Sequence, residues 1–237
     1  MSRNRFISIA LFVFYAVTSA AGDPFDERES ERNQLVEMTI RQRGVSDAGV
    51  LRAMRRVPRH VFVPNDVSPY AYFDRALPIG HGQTISQPFI VAFMTEALEL
   101  GDDATVLEIG TGSAYQAAVL AEITRNVYTI EIIAELASSA RETLDSLGYD
   151  YVRSKQADGY FGWEEVAPFD AIIVTAAADH VPPSLIAQLA PGGVMIIPVG
   201  TPQGIQTLIR IRKRANGRVD RDGLMYVRFV PFTREKN

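Results

Sequence analysis

Residues 106–121 read VLEIGTGSAYQAAVLA. The apolar run up to Ile109 reads as a buried strand, and residues 113–123 as a helix. Gly110 and Gly112 turn the chain between them. Glycines at such a turn let the backbone approach a ligand closely, and the following helix offers unpaired N–H groups at its start. The next strand, 126–130, runs into Glu131. A carboxylate at that place, about 20 residues beyond the glycines, can accept hydrogen bonds from both ribose hydroxyls of an adenosine-like ligand. A tight turn with a surface charge nearby is the bland alternative.

The same alternation continues outward. Strands are expected at 104–109, 126–130, 151–156, 169–174 and 193–199, with helices at 113–123, 133–147 and 182–189 between them. Strands separated by helices imply a parallel sheet covered on both faces. The tail departs from this rhythm: 205–212 and 224–232, joined through Asn216-Gly217, read as an antiparallel pair closing the sheet. Upstream, a helix over 27–43 stops at Gly44, and Ser46-Asp47 caps a second helix that closes at Val57-Pro58. Prolines and glycines make 60–88 an ordered loop, and Pro88 starts a helix to about Leu100. The expected architecture is one α/β Rossmann-like domain over 23–237. Its mostly parallel seven-stranded sheet occupies 101–237, with a helical, substrate-binding part at 23–100.

Composition removes several function classes. The net charge is −4 and the sequence pI about 5.5, which leaves no basic footprint for nucleic acid. The chain has no cysteine, and His60, His81 and His180 show no metal-ligand spacing, so no metal is expected. Residues 1–22 differ from the rest: Arg3 and Arg5, an apolar run over 6–17, then small residues, in the layout of a secretory signal peptide. The run is short for a membrane span, so stable insertion is not expected.

A dinucleotide turn would carry its third glycine or alanine at position 115, which is Tyr115 here; Ala114 instead makes the run G-x-G-x-A. That is close to the G-x-G-x-G turn of class I S-adenosylmethionine-dependent methyltransferases. Asp158, just after the third strand in QADGYFGW, is placed to accept from an adenine amino group, although Asp158-Gly159 also suits an ordinary turn. Together with ALPIGHGQTISQPFIVAFMTEAL (76–98), VYTIE (127–131) and FDAIIVTAAADHVPPSLIAQLAPGGVMIIPVG (169–200), these motifs closely resemble the protein-L-isoaspartate (D-aspartate) O-methyltransferase family. The resemblance implies a protein-repair enzyme. It transfers a methyl group from S-adenosylmethionine to the α-carboxylate of L-isoaspartyl residues in damaged proteins, giving an ester that recloses to succinimide.

By resemblance Ser86 is the catalytic residue, and Gln83 and Thr84 join it against the substrate. The cofactor contacts implied are Thr84, Ile85, Ser86, Glu108, Gly110, Gly112, Ser113, Glu131, Asp158, Gly159 and Thr233. Hydroxyls and amides suit a carboxylate nucleophile, whose ordinary pKa of roughly 4 leaves it ionised at neutral pH without a base. Ala114 stands where the family has glycine, which matters if that position needs a positive φ. An amino-group methyltransferase is disfavoured, because the fourth strand ends Thr175-Ala176-Ala177-Ala178 without the motif that would hold an amino group. Asp179-His180 lacks the nucleophile elbow of a hydrolase. A noncatalytic module binding protein surfaces stays open, supported by the signal-like segment. A monomer is expected, and the compartment is open between cytoplasm, where the donor is made, and export.

Overall fold

In the computed structural model, residues 22–201 and 203–234 are described. The signal-like reading of the N-terminus concerns residues of which all but Gly22 lie outside that range. A helical segment opens the described chain: α1 (Glu29–Leu35) continues through a π turn (Val36–Ile40) and a 3-10 turn (Arg41–Arg43). It ends, as the sequence indicates, at Gly44, whose φ of 103° only glycine adopts cheaply. Helix α2 (Ala48–Arg56) is capped by Asp47, which accepts from the Val50 N–H at 2.8 Å.

Two arginines fix this N-terminal layer on the rest. Arg32 is buried and donates to the carbonyls of Phe25, Glu27 and Arg55 and to the Tyr72 hydroxyl. Arg59 is fully buried, donates to the Ala71 carbonyl at 2.8 Å and faces the Tyr115 ring at 4.9 Å. Burial pulls its guanidinium pKa down to about 10. Both buried side chains trade hydration for backbone carbonyls, so neither can be removed cheaply.

The 60–88 stretch is more ordered than its breakers suggest. It holds a 3-10 turn at Ser68–Tyr70 and a hairpin of β1 (Leu77–Gly80) and β2 (Gln83–Ile85). His81 and Gly82 form its two-residue tip, with φ of 51° and 71°, the double positive φ that matches strand twist. Pro78 and the glycines hide these strands from a periodicity reading. The helix α3 (Pro88–Ala97) follows directly.

The remaining chain alternates as expected: β3 (Thr105–Ile109), α4 (Tyr115–Ala121), β4 (Asn126–Glu131), α5 (Ala134–Ser146), β5 (Arg153–Gln156), β6 (Phe169–Val174), α6 (Pro183–Gln188) and β7 (Leu189–Gly200). Strands β8 (Gln206–Lys213) and β9 (Val219–Val227) complete a seven-stranded sheet in the order β5-β4-β3-β6-β7-β8-β9. The first five are mutually parallel; β8 is antiparallel to both neighbours. The final strand lies earlier than the sequence expectation of 224–232. The Asn216-Gly217 turn, with Gly217 at φ 82°, sets the register so that pairing starts at Val219. Asp220, Arg221 and Asp222 occupy this edge strand, and their charge conceals it.

Residues alternate between two cores with the two-residue period of a strand. Val106, Ala171, Ile173, Val194 and Ile196 pack with α3, α4, α5 and the N-terminal layer. Leu107, Ile109, Ile172, Val174, Met195 and Ile197 pack on the other face with Leu185 of α6. The chain leaves β3 toward β4 and β5 and then returns to β6 on the opposite side. This makes the carboxyl ends of β3 and β6 a topological switch point, where α/β sheets open a ligand crevice.

Replacing Arg32 with Met should therefore remove the donor shared by three partly buried carbonyls and lower stability by about 2–4 kcal/mol. A fall in the urea midpoint at unchanged slope is the expected reading.

Candidate active site

The crevice at the switch point is a cavity of about 510 Å³. Its walls include Gln83 and Thr84 from β2, Gly110 and Gly112 after β3, Glu131 at the end of β4, Gly159, and Thr233 from the tail. The glycines have individual reasons. Gly110 has φ of 95°, and a Cβ there would stand 2.6 Å from the Thr175 Oγ1, which donates to the Gly110 carbonyl at 2.7 Å. A Cβ on Gly159 would meet the Ile109 Cγ2 at 2.4 Å. Both positions are thus closed to any side chain.

Ala114 precedes α4 at φ 70° and ψ 6°, so its position does require the left-handed region. An L-residue there costs about 1–2 kcal/mol. Its methyl group is fully buried in the core, which returns about 0.8 kcal/mol. The burial offsets part of the cost, and alanine is accommodated.

Glu131 is buried and accepts three backbone N–H groups: Gly112 to Oε2 at 2.8 Å, Ile132 and Ile133 to Oε1 at 3.0 Å each. A carboxylate has about four acceptor sites, so one conventional position remains toward the cleft. The residue read as a ribose contact also ties the glycine turn to β4.

Asp158 is placed differently from the simple expectation of an acceptor waiting for a ligand. Oδ1 accepts the Tyr160 N–H at 2.9 Å and Oδ2 accepts from the Arg234 Nε at 2.8 Å. The Arg234 guanidinium lies 3.6 Å from the centre of the Tyr160 ring. Gly159 rather than Asp158 lines the cleft wall. Arg234 was not singled out from the sequence, and nothing local could have revealed it, because its partner lies 76 residues away. The tail is led there by a bridge in which Ala177 donates to the Val230 carbonyl and Phe232 donates to that of Ala177.

Thr84 also borders two further spaces. One is an inner cavity of about 290 Å³ walled by Ile85, Ser86, Glu108, Gly112 and Ser113. The other is an outward groove of about 1000 Å³ that includes Ser86. Thr84 therefore stands between cleft and groove, and Ser86 between the inner cavity and the groove. Their position is set by Asp74, a second residue the sequence did not mark. Its carboxylate accepts from the Phe89 N–H at 2.9 Å and Gln87 Nε2 at 2.8 Å, fixing the start of α3 beside Ser86.

Glu108 is fully buried; its Oε2 accepts from the Thr129 hydroxyl at 2.5 Å while Oε1 has no partner. Desolvation pushes its pKa up to about 8; the Thr129 hydrogen bond opposes this and the charge of Glu131 adds to it. The carboxyl is therefore mostly neutral at neutral pH. Asp179 and His180 do touch, at 2.5 Å, but both are exposed and the hydroxyl near His180 is that of Tyr160 at 3.2 Å, so no activated nucleophile results. Among the described residues no cluster of metal-ligating side chains occurs.

A glycine turn at the switch point of a mostly parallel seven-stranded sheet, with Glu131 at the next strand end, defines a class I S-adenosylmethionine-dependent methyltransferase. A solved structure from Plasmodium falciparum, assigned to protein-L-isoaspartate O-methyltransferases and holding S-adenosyl-L-homocysteine, superposes with a TM-score of 0.74. It is 27% identical and covers 85% of this chain and 98% of its own. The chain belongs to the protein-L-isoaspartate(D-aspartate) O-methyltransferase family, whose model matches residues 30–237. A protein-L-isoaspartate O-methyltransferase of Opitutus terrae is 53% identical over 234 residues, 99% of each chain. One of Nitrosospira multiformis is 56% identical over 207 residues, covering 86% of this chain and 88% of its own. With relatives of this name across nearly the whole chain, the noncatalytic alternative is not retained.

Because Glu108 is protonated in the fold where the unfolded chain would be ionised, stability falls as pH rises from about 4.5 to about 8. The loss is complete once the folded carboxyl has ionised. Glu108→Gln removes this contribution, so its Tm relative to the wild type should be more favourable at about pH 8 than at about pH 5. Thermal scans of both proteins across that range test it.

Proposed function

We propose that Thr84 and Ser86 hold the α-carboxylate of an L-isoaspartyl residue at the partition between the cleft and the outer groove, in line for methyl transfer. The observation that carries this reading is their shared position: Thr84 borders both spaces, and Ser86 borders the groove and the inner cavity behind the glycine turn. The enzyme is an S-adenosylmethionine-dependent methyltransferase acting on isoaspartyl residues, and the donor supplies an activated methyl group on a sulfonium. The cleft residues fit such a donor. Gly110 and Gly159 line the cleft, Glu131 keeps one acceptor position, and Glu108 has an unpaired oxygen at the inner cavity.

Within this assignment Gln83 and Thr84 form the wall, while Ile85, Ser86 and Ser113 line the inner cavity beside Glu108. Gly110, Gly112, Glu131, Gly159 and Thr233 surround the nucleoside side of the donor, with Gly159 toward its adenine end and Asp158, bridged to Arg234, behind it. No base is required, because the substrate carboxylate is already ionised. The work left to the protein is orientation and exclusion of water, which can supply several kcal/mol of barrier reduction. Uncharged donors do this without a permanent cation neutralising the nucleophile. Neither the Thr84 nor the Ser86 hydroxyl has a hydrogen-bond partner among the described residues, which leaves both available to a carboxylate.

The chain is taken to act as a monomer on damaged proteins rather than on nucleic acid. No described helix is long and apolar enough to cross a membrane. Two compartments fit different features: the layout of residues 1–22 favours export, and supply of the donor favours the cytoplasm. The mass of the mature chain from its native cell decides between them.

Ser86→Ala should reduce kcat/KM for an isoaspartyl peptide about 10- to 100-fold, the effect of one hydrogen bond to a charged group. Methyl transfer from labelled donor to matched isoaspartyl and aspartyl peptides is the test. Base-labile ester on the isoaspartyl peptide alone supports the assignment; an unimpaired variant overturns the role of Ser86.

A further inference from the structure

The outer groove carries a charge pattern that the transfer chemistry does not use. Its charged lining residues are Arg43 and Arg228, with no carboxylate among them, on a chain whose net charge is −4. Arg43 is held in place: one guanidinium nitrogen bonds Asp74 Oδ2 at 2.7 Å, and the group lies 3.5 Å from the centre of the Phe89 ring. Its remaining donors are not consumed by that single bond.

Arg228 is different. It follows directly on Val227, the last residue of β9, whose pairing with Gln206 fixes the backbone. The next residue is also tied, the Phe229 N–H donating to Gln206 Oε1 at 2.9 Å. The Arg228 side chain is exposed and makes no ion pair with a described carboxylate. Nearby Ile205 and Tyr226, 59% and 79% exposed, give the same groove apolar surface for a peptide chain. A cation kept without a partner beside exposed apolar side chains is suited to an anionic ligand.

We propose that Arg43 and Arg228 make the groove selective for isoaspartyl peptides that carry a second carboxylate close to the target residue. This rests on the isoaspartyl reading of the partition. The substrate class it names is an acidic extended peptide segment, recognised on either side of Ser86 by one uncharged and one cationic contact. Arg228 is a specificity-determining residue here, since it touches the flanking group and not the reacting atoms.

The test uses the full chain and two isoaspartyl peptides differing only by Glu or Gln beside the target. The wild type should show a KM about 3- to 10-fold lower for the Glu peptide, and the ratio should shrink from about 50 mM to about 0.5 M salt. Arg228→Ala should bring the ratio of kcat/KM values for the two peptides toward one, and Arg228→Glu should invert it. Binding of S-adenosylhomocysteine, measured by calorimetry, reports that the variants are folded. Equal values for the two peptides in the wild type, or a loss in Arg228→Ala that is the same for both, overturns the selectivity. If the wild type methylates neither peptide, the isoaspartyl reading falls as well, an outcome distinct from equal methylation of both.

Discussion

The carboxylate of Glu131 is the hinge on which the site depends. It gathers the N–H of Gly112 from one strand-to-helix turn and those of Ile132 and Ile133 from the next. The Gly112 bond joins two others that hold the positive-φ backbone of the glycine turn, from the Gly110 N–H to the Ile130 carbonyl at 2.8 Å and from the Thr175 hydroxyl to the Gly110 carbonyl at 2.7 Å. The bond forms because parallel pairing of β3 with β4 brings Ile109 level with Ile130, so both turns start from the same edge of the sheet. A sheet register fixed by apolar alternation is thus converted into the position of one donor, and from there into a ligand floor.

A second feature is how little charge the chemistry meets. Glu108 is held neutral by burial, and Thr84 and Ser86 are uncharged hydroxyls. The cations stand outward, at Arg43 and Arg228, or are committed elsewhere, at Arg234. Under the proposed assignment, a carboxylate at the partition is oriented by dipoles where it reacts, and the one cation without a described partner on this side, Arg228, attracts it only at a distance. The same arrangement accounts for the buried arginines of the N-terminal layer, Arg32 and Arg59. Their guanidinium groups face backbone carbonyls, with the Arg59 Nη1 left unpaired, and neither residue lines the cleft.

Sequence reasoning found what is local and periodic. The β3 turn, Glu131 and the alternating strands are written in neighbouring residues; the strands form as read, and the turn and Glu131 line one cleft at the switch point. What it missed depends on partners distant in the chain. Asp74 caps α3 from 15 residues away, and Arg234 meets Asp158 across 76. The hairpin at β1 and β2 was concealed because the residues that shape its tip, Gly80 and Gly82, are the ones that signal a loop. Strand β9 was set too late because an edge strand needs no apolar face on its charged stretch. The Ala114 question was posed correctly by the sequence, but its answer required a dihedral angle.

The tail that reaches from Val230 to Arg234 follows every strand of the sheet in chain order, yet Pro231, Phe232 and Thr233 form part of the cleft wall. The scaffold and the container are therefore built from different parts of the chain: the cleft is closed by a segment that belongs to no strand of the sheet.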